Sequence, residues 1–239
     1  MLSLFPLTVI IPAFNEQEGI GKTIAEIKRC LNCDNIIVVD GRSDDATVEI
    51  AEEMGAHVLF QDGIGKGNAV QEAIKHLNPK TKYVALIDAD FTYPASYLNS
   101  MIKTLDDPST GMVLGNRFSE LYKTESVRDH YYLGNKIISF VHRFSNGINL
   151  QDPLTGLRII KFELLKDWTP AAQGFDIEVE LNCHTSSMGY KIVEVPIHYR
   201  KRLGKKKLGF INGIEIINRI FANAILPKVP ENNNSNHCQ

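Results

Sequence analysis

Short β-branched runs alternate along this chain with stretches whose apolar residues recur at helical spacing. Leu7 to Ile11 reads as a buried strand, and from Glu16 onward Ile20, Ile24, Ile27 and Leu31 fall on one helix face. Ile36 to Val39 is a second strand and Thr47 to Met54 a second helix, stopped by Gly55. His57 to Phe60, Ala69 to Leu77 and Tyr83 to Ile87 repeat the alternation as strand, helix and strand. Further along, strands are expected at Met112 to Leu114, Gly156 to Ile160 and Ile192 to Tyr199. Helices are expected at Tyr132 to Phe144, near Ile177 to Met188, and over Phe210 to Leu226. The polar stretch 118–131 has no period and is expected to be a mobile loop. Such alternation predicts an α/β fold with a mostly parallel sheet flanked by helices.

In sheets of this kind ligands bind beyond the carboxyl ends of the strands. Asn15 and Glu16, Asp40, and the pair Asp88 and Asp90 follow the first, second and fourth strands. The pattern therefore gathers carboxylates along one edge.

Composition narrows the class without naming it. The 239 residues are 44% hydrophobic and 23% charged, which is ordinary globular usage. Lys and Arg number 26 against 28 Asp and Glu, a net charge of -2, so no general attraction to nucleic acid is implied. Four cysteines form no secretory framework, and the lone Cys30-x-x-Cys33 at a helix end is too little for a zinc or redox site. No spanning segment or leader is evident in the sequence.

Asp88-Ala89-Asp90 places two carboxylates one residue apart at a strand end. Hard oxygen ligands of this kind suit Mg²⁺ or Mn²⁺ bridged to substrate phosphates, although a solvated loop with two helix caps has the same sequence. Gly63-Ile-Gly-Lys-Gly67 is a glycine-rich turn into a helix that matches neither phosphate-binding loop spacing. Six of the eight residues from Arg200 to Lys207 are basic, either a solvated hairpin tip or a trap for phosphate-bearing substrates and anionic surfaces. On a helical wheel Phe210, Ile214, Ile217, Ile220, Phe221 and Ala224 share one side, a stripe for the core or for a membrane interface.

Together these residues resemble a known family. Pro12-Ala-Phe-Asn-Glu16, Val39-Asp-Gly-x-Ser-Asp-x-x-Thr47, Gly65-Lys-Gly-x-Ala69, Asp88-Ala-Asp90 with Pro94, Gly115-x-Arg117 and Asp152-Pro-x-x-Gly-x-Arg158 are similar to the family 2 inverting glycosyltransferases of GT-A fold. More narrowly they resemble the dolichyl-phosphate mannose synthase branch and its archaeal relatives, over residues 7 to 208. The resemblance implies a Rossmann-like GT-A domain over 1–226, with a nucleotide-binding half (1–115), an acceptor half (116–208), an amphipathic C-terminal helix (209–226) and a disordered tail (227–239).

It also implies roles. Pro12, Phe14, Glu16, Asp40, Lys66 and Asp88 would form the nucleotide site, and Asp88 with Asp90 would hold Mg²⁺ or Mn²⁺ against the donor diphosphate. Arg117, Arg128, Arg202 and Lys207 would meet phosphates near the reaction centre. The partners implied are a nucleotide-sugar donor, a polyprenyl-phosphate acceptor and the cytoplasmic face of a membrane, bound peripherally or through a small membrane partner subunit. No nucleic acid is expected.

An anionic phosphate acceptor needs no general base. A hydroxyl acceptor would need one, and Asp152 is the foremost candidate, ahead of Glu178, unless Arg158 simply pairs with it. A sugar-phosphate nucleotidyltransferase and a silent binding subunit are the competing classes. The first lacks its arginine-containing glycine loop after strand one, and the second would not need so complete a set of charged residues. Three departures from the family pattern bear on the donor: Arg42 follows Asp40-Gly41, Thr92 stands where a metal-holding Gln is common, and Lys206 replaces a serine.

Overall fold

The computed structural model describes residues 7–31, 33, 35–118, 130–205 and 210–225. The expected tail at 227–239 and most of the expected 118–131 loop lie outside the described residues, as do Arg128, Lys206 and Lys207. Seven strands form one sheet: β1 (Leu7–Ala13), β2 (Ile36–Asp40), β3 (His57–Phe60), β4 (Tyr83–Leu86), β5 (Thr110–Asn116), β6 (Arg158–Lys161) and β7 (Lys191–Pro196). Their order is β3-β2-β1-β4-β6-β5-β7. All neighbouring pairs are parallel except that β6 runs against both β4 and β5. The chain is thus a mixed, mostly parallel α/β sheet, Rossmann-like over its first half.

The helices are α1 (Ile20–Leu31), α2 (Thr47–Glu53), α3 (Lys66–Lys75), α4 (Leu98–Thr104), α5 (His130–Asn146), α6 (Ile177–Ser187) and α7 (Phe210–Ile225). They cover both faces, which is why the central strands read as unbroken apolar runs. Val9, Ile11, Ala85, Val113 and Ile159 point to the face covered by α1 and α4. Ile10, Leu86, Met112, Leu114 and Ile160 point to the face covered by α3 and α6. α4 has no counterpart in the apolar pattern, because its seven residues are too few to establish a period.

Register decides where function can sit. Ala13 pairs with Asp40 across β1 and β2, and Ile10 with Leu86 across β1 and β4, so the loops after these three strands leave the sheet side by side. α3 starts at Lys66, three residues before the apolar spacing indicates, which sets Lys66 at the first turn.

The expected stripe on α7 is only half confirmed. Ile216 and Ile220 are its buried residues, packed with Ile138 of α5 and Val179 of α6, while Ile214 and Phe221 stay exposed. The helix sits in the corner between two others, and that corner accepts a narrow edge turned away from the centre of the expected stripe.

After β7 the chain crosses back over the carboxyl edge of the sheet. Arg200 donates to Thr92 O from its backbone at 2.9 Å, and Leu203 N to Asp90 O at 3.2 Å. The Arg200 guanidinium closes a two-pronged pair on Glu26 of α1 at 2.7 and 2.8 Å and lies over the Phe91 ring at 4.3 Å. Hydrogen bonding to Arg200 holds the Glu26 carboxyl below its ordinary value near 4.5. A carboxyl depressed in the folded state adds stability above its unfolded pKa and loses it as pH falls. Glu26→Gln should therefore lower the thermal midpoint by roughly 2 °C at pH 7. The difference from wild type should shrink steadily in melts recorded below pH 4.5.

Candidate functional site

Three loops at the carboxyl ends of β1, β2 and β4 build the floor of the site. Each contains a non-glycine residue with positive φ: Asn15 (50°), Arg42 (65°) and Phe91 (65°). Conformations this unfavourable persist where surrounding bonds over-determine them. Here the bonds are visible. Asp40, fully buried, accepts from Ser43 N at 2.7 Å and Ser43 Oγ at 2.6 Å, and Ser43 Oγ in turn accepts from Asn15 N at 2.8 Å. Asn15 Oδ1 accepts from Asp44 N at 2.9 Å, and Thr47 Oγ1 accepts from Glu16 N at 2.7 Å. The first two loops are stitched into one surface, with Phe14 half exposed beside Gly41. Pro12 lies at the end of β1, opposite Val39.

Asp88 and Asp90 stand beyond β4, and each faces a cation. Lys66 Nζ lies 2.6 Å from Asp88 Oδ1 and 2.7 Å from Glu178 Oε1. Arg202 donates to Asp90 Oδ2 at 2.7 Å and reaches Glu16 with its other terminal nitrogen. Thr92 donates to Asp90 Oδ1 from both N, at 3.1 Å, and Oγ1, at 2.6 Å. The residue standing in place of the expected glutamine therefore orients the second aspartate.

The two carboxyls feel each other. Burial and the charge of Asp88 push Asp90 above the usual carboxylate range. Burial would raise Asp88 too, but the Lys66 ammonium outweighs it and leaves Asp88 lowered. Burial would lower Lys66, but the two acids on either side of it outweigh that and hold it in its charged form well above its ordinary range.

A divalent cation fits this donor set. Both ligands are hard oxygens, their repulsion calls for positive charge, and Lys66 and Arg202 supply it here. Among the described residues no group of three or more His, Cys, Asp or Glu could hold a metal ion. Asp88 and Asp90 would hold such an ion with oxygen ligands from outside the chain completing its coordination.

Glycine makes the closeness possible. A Cβ on Gly156 would lie 2.2 Å from Asp88 Oδ2, and one on Gly65, at φ +104°, would lie 2.5 Å from Gln173 O. Gly156 N also donates to the buried Tyr93 hydroxyl at 2.8 Å. The motif glycines therefore let the aspartate and the α3 turn press against the acceptor half.

On that side Arg117 and Asp152 form a fork. Arg117 donates Nε to Asp152 Oδ2 and Nη2 to Asp152 Oδ1, both at 2.7 Å, and its backbone N to Oδ2 at 3.0 Å. Asp152 is fully buried, and its backbone N donates to Glu194 Oε1 at 2.8 Å. Arg117 also packs over the Tyr199 ring at 5.4 Å. The expected alternative pairing of Arg158 with Asp152 is not what forms. Arg158 lies buried among Thr155 O (2.7 Å), Glu178 O (3.1 Å) and Asn182 Oδ1 (3.2 Å), a structural knot behind the site. The β5–β6 arrangement brings Arg117, at the end of β5, to Asp152 before β6, and sequence separation gave no sign of it.

Glu178, ranked behind Asp152 as a candidate base, lies beside Lys66 and the aspartate pair. It sits in the first turn of α6, is buried, bonds Lys66 through Oε1, and its Oε2 has no hydrogen-bond partner among the described residues. Its only signal was acidity at a helix start. The structure thus gathers Glu16, Lys66, Asp88, Asp90, Glu178 and Arg202 into one linked set, while Arg117 and Asp152 form a separate pair.

Comparison with known proteins finds relatives of this sequence and of this fold. Residues 8–169 match the family described as Glycosyl transferase family 2. The chain is 36% identical over 205 residues to a "Dolichyl-phosphate hexose transferase" of Haloferax volcanii, covering 84% of this chain and 86% of that one. It is 35% identical over 195 residues to "Glycosyltransferase AglJ" of the same organism, covering 81% of this chain but only 63% of the relative's length. Among solved structures, glucosyl-3-phosphoglycerate synthase of Mycobacterium tuberculosis with Mn²⁺, UDP and glucosyl-3-phosphoglycerate has a TM-score of 0.73 at 22% identity, covering 92% of this chain and 80% of that one. The same enzyme with Mg²⁺ and UDP also scores 0.73. At that identity the likeness concerns the fold.

Breaking the arginine fork should be costly, because it strands a buried guanidinium. Asp152→Asn should lose about 3 kcal/mol of unfolding free energy in urea titrations. A loss under about 0.5 kcal/mol would mean that solvent, not Asp152, satisfies Arg117.

Proposed function

This chain belongs to glycosyl transferase family 2, and from that premise we propose that it moves a hexose or N-acetylhexosamine from a nucleotide sugar to a polyprenyl phosphate, with inversion. The observation that carries the reading is the paired cationic cover on Asp88 and Asp90, with the 200–205 segment bonded to the backbone at Asp90 and Thr92. The homologue named for dolichyl-phosphate hexose transfer, matched along most of both chains, supports the lipid-linked acceptor. The metal- and UDP-bound relatives of the same fold support a divalent ion and a diphosphate donor.

Chemically, the anomeric carbon–oxygen bond to the nucleoside diphosphate breaks as an acceptor phosphate oxygen attacks from the opposite face. The diphosphate leaves with the bonding electrons. Asp88 and Asp90 would hold Mg²⁺ or Mn²⁺, which neutralises charge growing on the leaving group. Lys66 and Arg202, which pair with these carboxylates here, would be at hand to meet donor phosphates. Phe14 and the stitched β1 and β2 loops, held by the buried Asp40, would form the wall for the nucleoside, with Pro12 and Glu16 on the same loop end.

Arg117 answers the acceptor phosphate. The carboxylate behind it fixes the planar guanidinium, leaving its outer edge for a second anion. Arg128 and Lys207 would add to that charge on the family pattern. The acceptor oxygen is already anionic, so no proton need be removed, and Asp152 serves as the anchor of Arg117 and not as a base. Because the acceptor is lipid-linked, the reaction belongs at the cytoplasmic face of a membrane, directly or through a membrane partner. No helix of the described residues is long and apolar enough to cross one.

One observation favours a second reading. The buried Glu178 Oε2 offers an open lone pair beside Lys66, and a hydroxyl acceptor would find its base there, not at Asp152.

Labelled UDP- or GDP-sugars incubated with polyprenyl phosphate and Mn²⁺ should give a chloroform-extractable product that mild acid releases. Asp88→Asn or Asp90→Asn should reduce its rate at least about 100-fold. Label found solely in water-soluble glycan, with Glu178→Gln inactive, would establish the hydroxyl reading in its place.

A further inference from the structure

α5 has two faces of opposite character. Its inner side is packed against the protein: Ile138 packs with Ile216 and Ile220 of α7, and Asn146 donates to Ile220 O at 3.3 Å. Asn135 donates to Gln151 O at 2.9 Å, and Ser139 Oγ donates to Leu150 O. The outer side is apolar and open. Leu133, Ile137, Phe140 and Phe144 recur at spacings of four, three and four, so they form one ridge along the helix. They are 64%, 50%, 69% and 84% exposed, and the two phenylalanine rings stack at 6.4 Å. Scattered exposed apolar residues are ordinary, but four in register along three turns mark a contact surface.

We propose that this ridge seats the protein on an anionic lipid bilayer, an assignment that rests on the lipid-linked acceptor inferred above and supplies its docking face. Charge selects the occupant. α5 contains no aspartate or glutamate, and its exposed charged residues are Lys136 and Arg143, both flanking the ridge. Basic side chains beside an apolar stripe lay their stems along the hydrocarbon and set their charges among lipid phosphates. A second copy is a poorer fit, since a two-fold interface would place the same patch against itself. The basic flank of one helix, Lys136 and Arg143, would then meet the same basic flank of the other copy with no acid in the helix to answer it.

Position links the ridge to the chemistry. The inner face of α5 holds Leu150 and Gln151, the residues directly before Asp152, which anchors Arg117. A bilayer against the outer face lies about one helix diameter, roughly 10 Å, from that segment. A phosphate on a membrane-embedded chain is brought to Arg117 without the lipid leaving the bilayer. α7, whose Ile216 and Ile220 pack with Ile138 and Val179, acts as the brace that keeps the ridge in place.

Sedimentation with large unilamellar vesicles of phosphatidylcholine and phosphatidylglycerol, seven to three, tests the assignment on the full chain. Wild type should pellet with the vesicles, and Phe140→Ser with Phe144→Ser should reduce the partition coefficient at least tenfold. Lys136→Gln with Arg143→Gln should weaken binding to the mixed vesicles and leave pure phosphatidylcholine binding unchanged. Wild type remaining in the supernatant, or the double-serine variant partitioning like wild type, would overturn it. So would light scattering that shows a wild-type dimer and a monomeric double-serine variant, which would assign the ridge to a second copy. A detergent assay with a short-chain polyprenyl phosphate separates this idea from the acceptor assignment. There the double-serine variant should match wild type in rate. Vesicle binding through the ridge without any lipid product would sink the acceptor and leave the ridge standing; product in detergent without vesicle binding would do the reverse.

Discussion

Two carboxylates held close together beyond β4 repel each other, and the architecture around them answers that repulsion. Lys66 comes from the first turn of α3, Arg202 from the strand that crosses back after β7, and both end on these acids. Glu16 and Glu178 complete the charge balance from α1's approach and from α6. Four separate parts of the chain are tied to one pair of aspartates. A buried network of this kind is weak evidence for stability as such, because desolvation offsets much of the attraction. What the ion pairs show is a charge-balanced pair of aspartates, and under the function proposed above Lys66 and Arg202 would be the groups that meet a bound diphosphate.

The acceptor half follows a different rule. Arg117 and Asp152 satisfy one another through two parallel bonds, an arrangement that fixes a planar cation in direction as well as place. Lys66 and Arg202 bridge exchangeable partners, whereas Arg117 is locked from behind by a carboxylate with no exposure of its own. The transfer proposed above would use Lys66 and Arg202 at the leaving group and the locked guanidinium at the nucleophile.

α5 ties that locked arginine to the outside of the molecule. Its inner side chains bond the backbone ahead of Asp152, and its outer side chains form the apolar ridge. A single rigid helix thus connects a surface that has no use in water to the group that would receive a phosphate. No moving part is required for that connection. The helix has its two functions because side chains 100° apart along it face different surroundings.

Much of this was legible in the sequence. Alternating buried runs and helical periods gave all seven strands and six of the seven helices, and the carboxylates after strands one, two and four announced the edge where a ligand would bind. Those features are local: they depend on spacing within a few residues and on where each strand stops. Contacts between distant segments were not legible. Nothing in the spacing distinguished Arg117 from Arg158 as the partner of Asp152, raised Glu178 from a helix-start acid to a neighbour of Lys66, or predicted that α7 would bury Ile216 and Ile220 while the outer face of α5 stayed open. Pairing across 35 or 112 positions is decided by which strand ends the sheet brings together, and the antiparallel insertion of β6 between β4 and β5 sets that order. The sequence by itself determined which chemistries the chain holds. Tertiary packing decided which charge meets which, because an ion pair is chosen by distance in space and residue spacing records distance only along the chain.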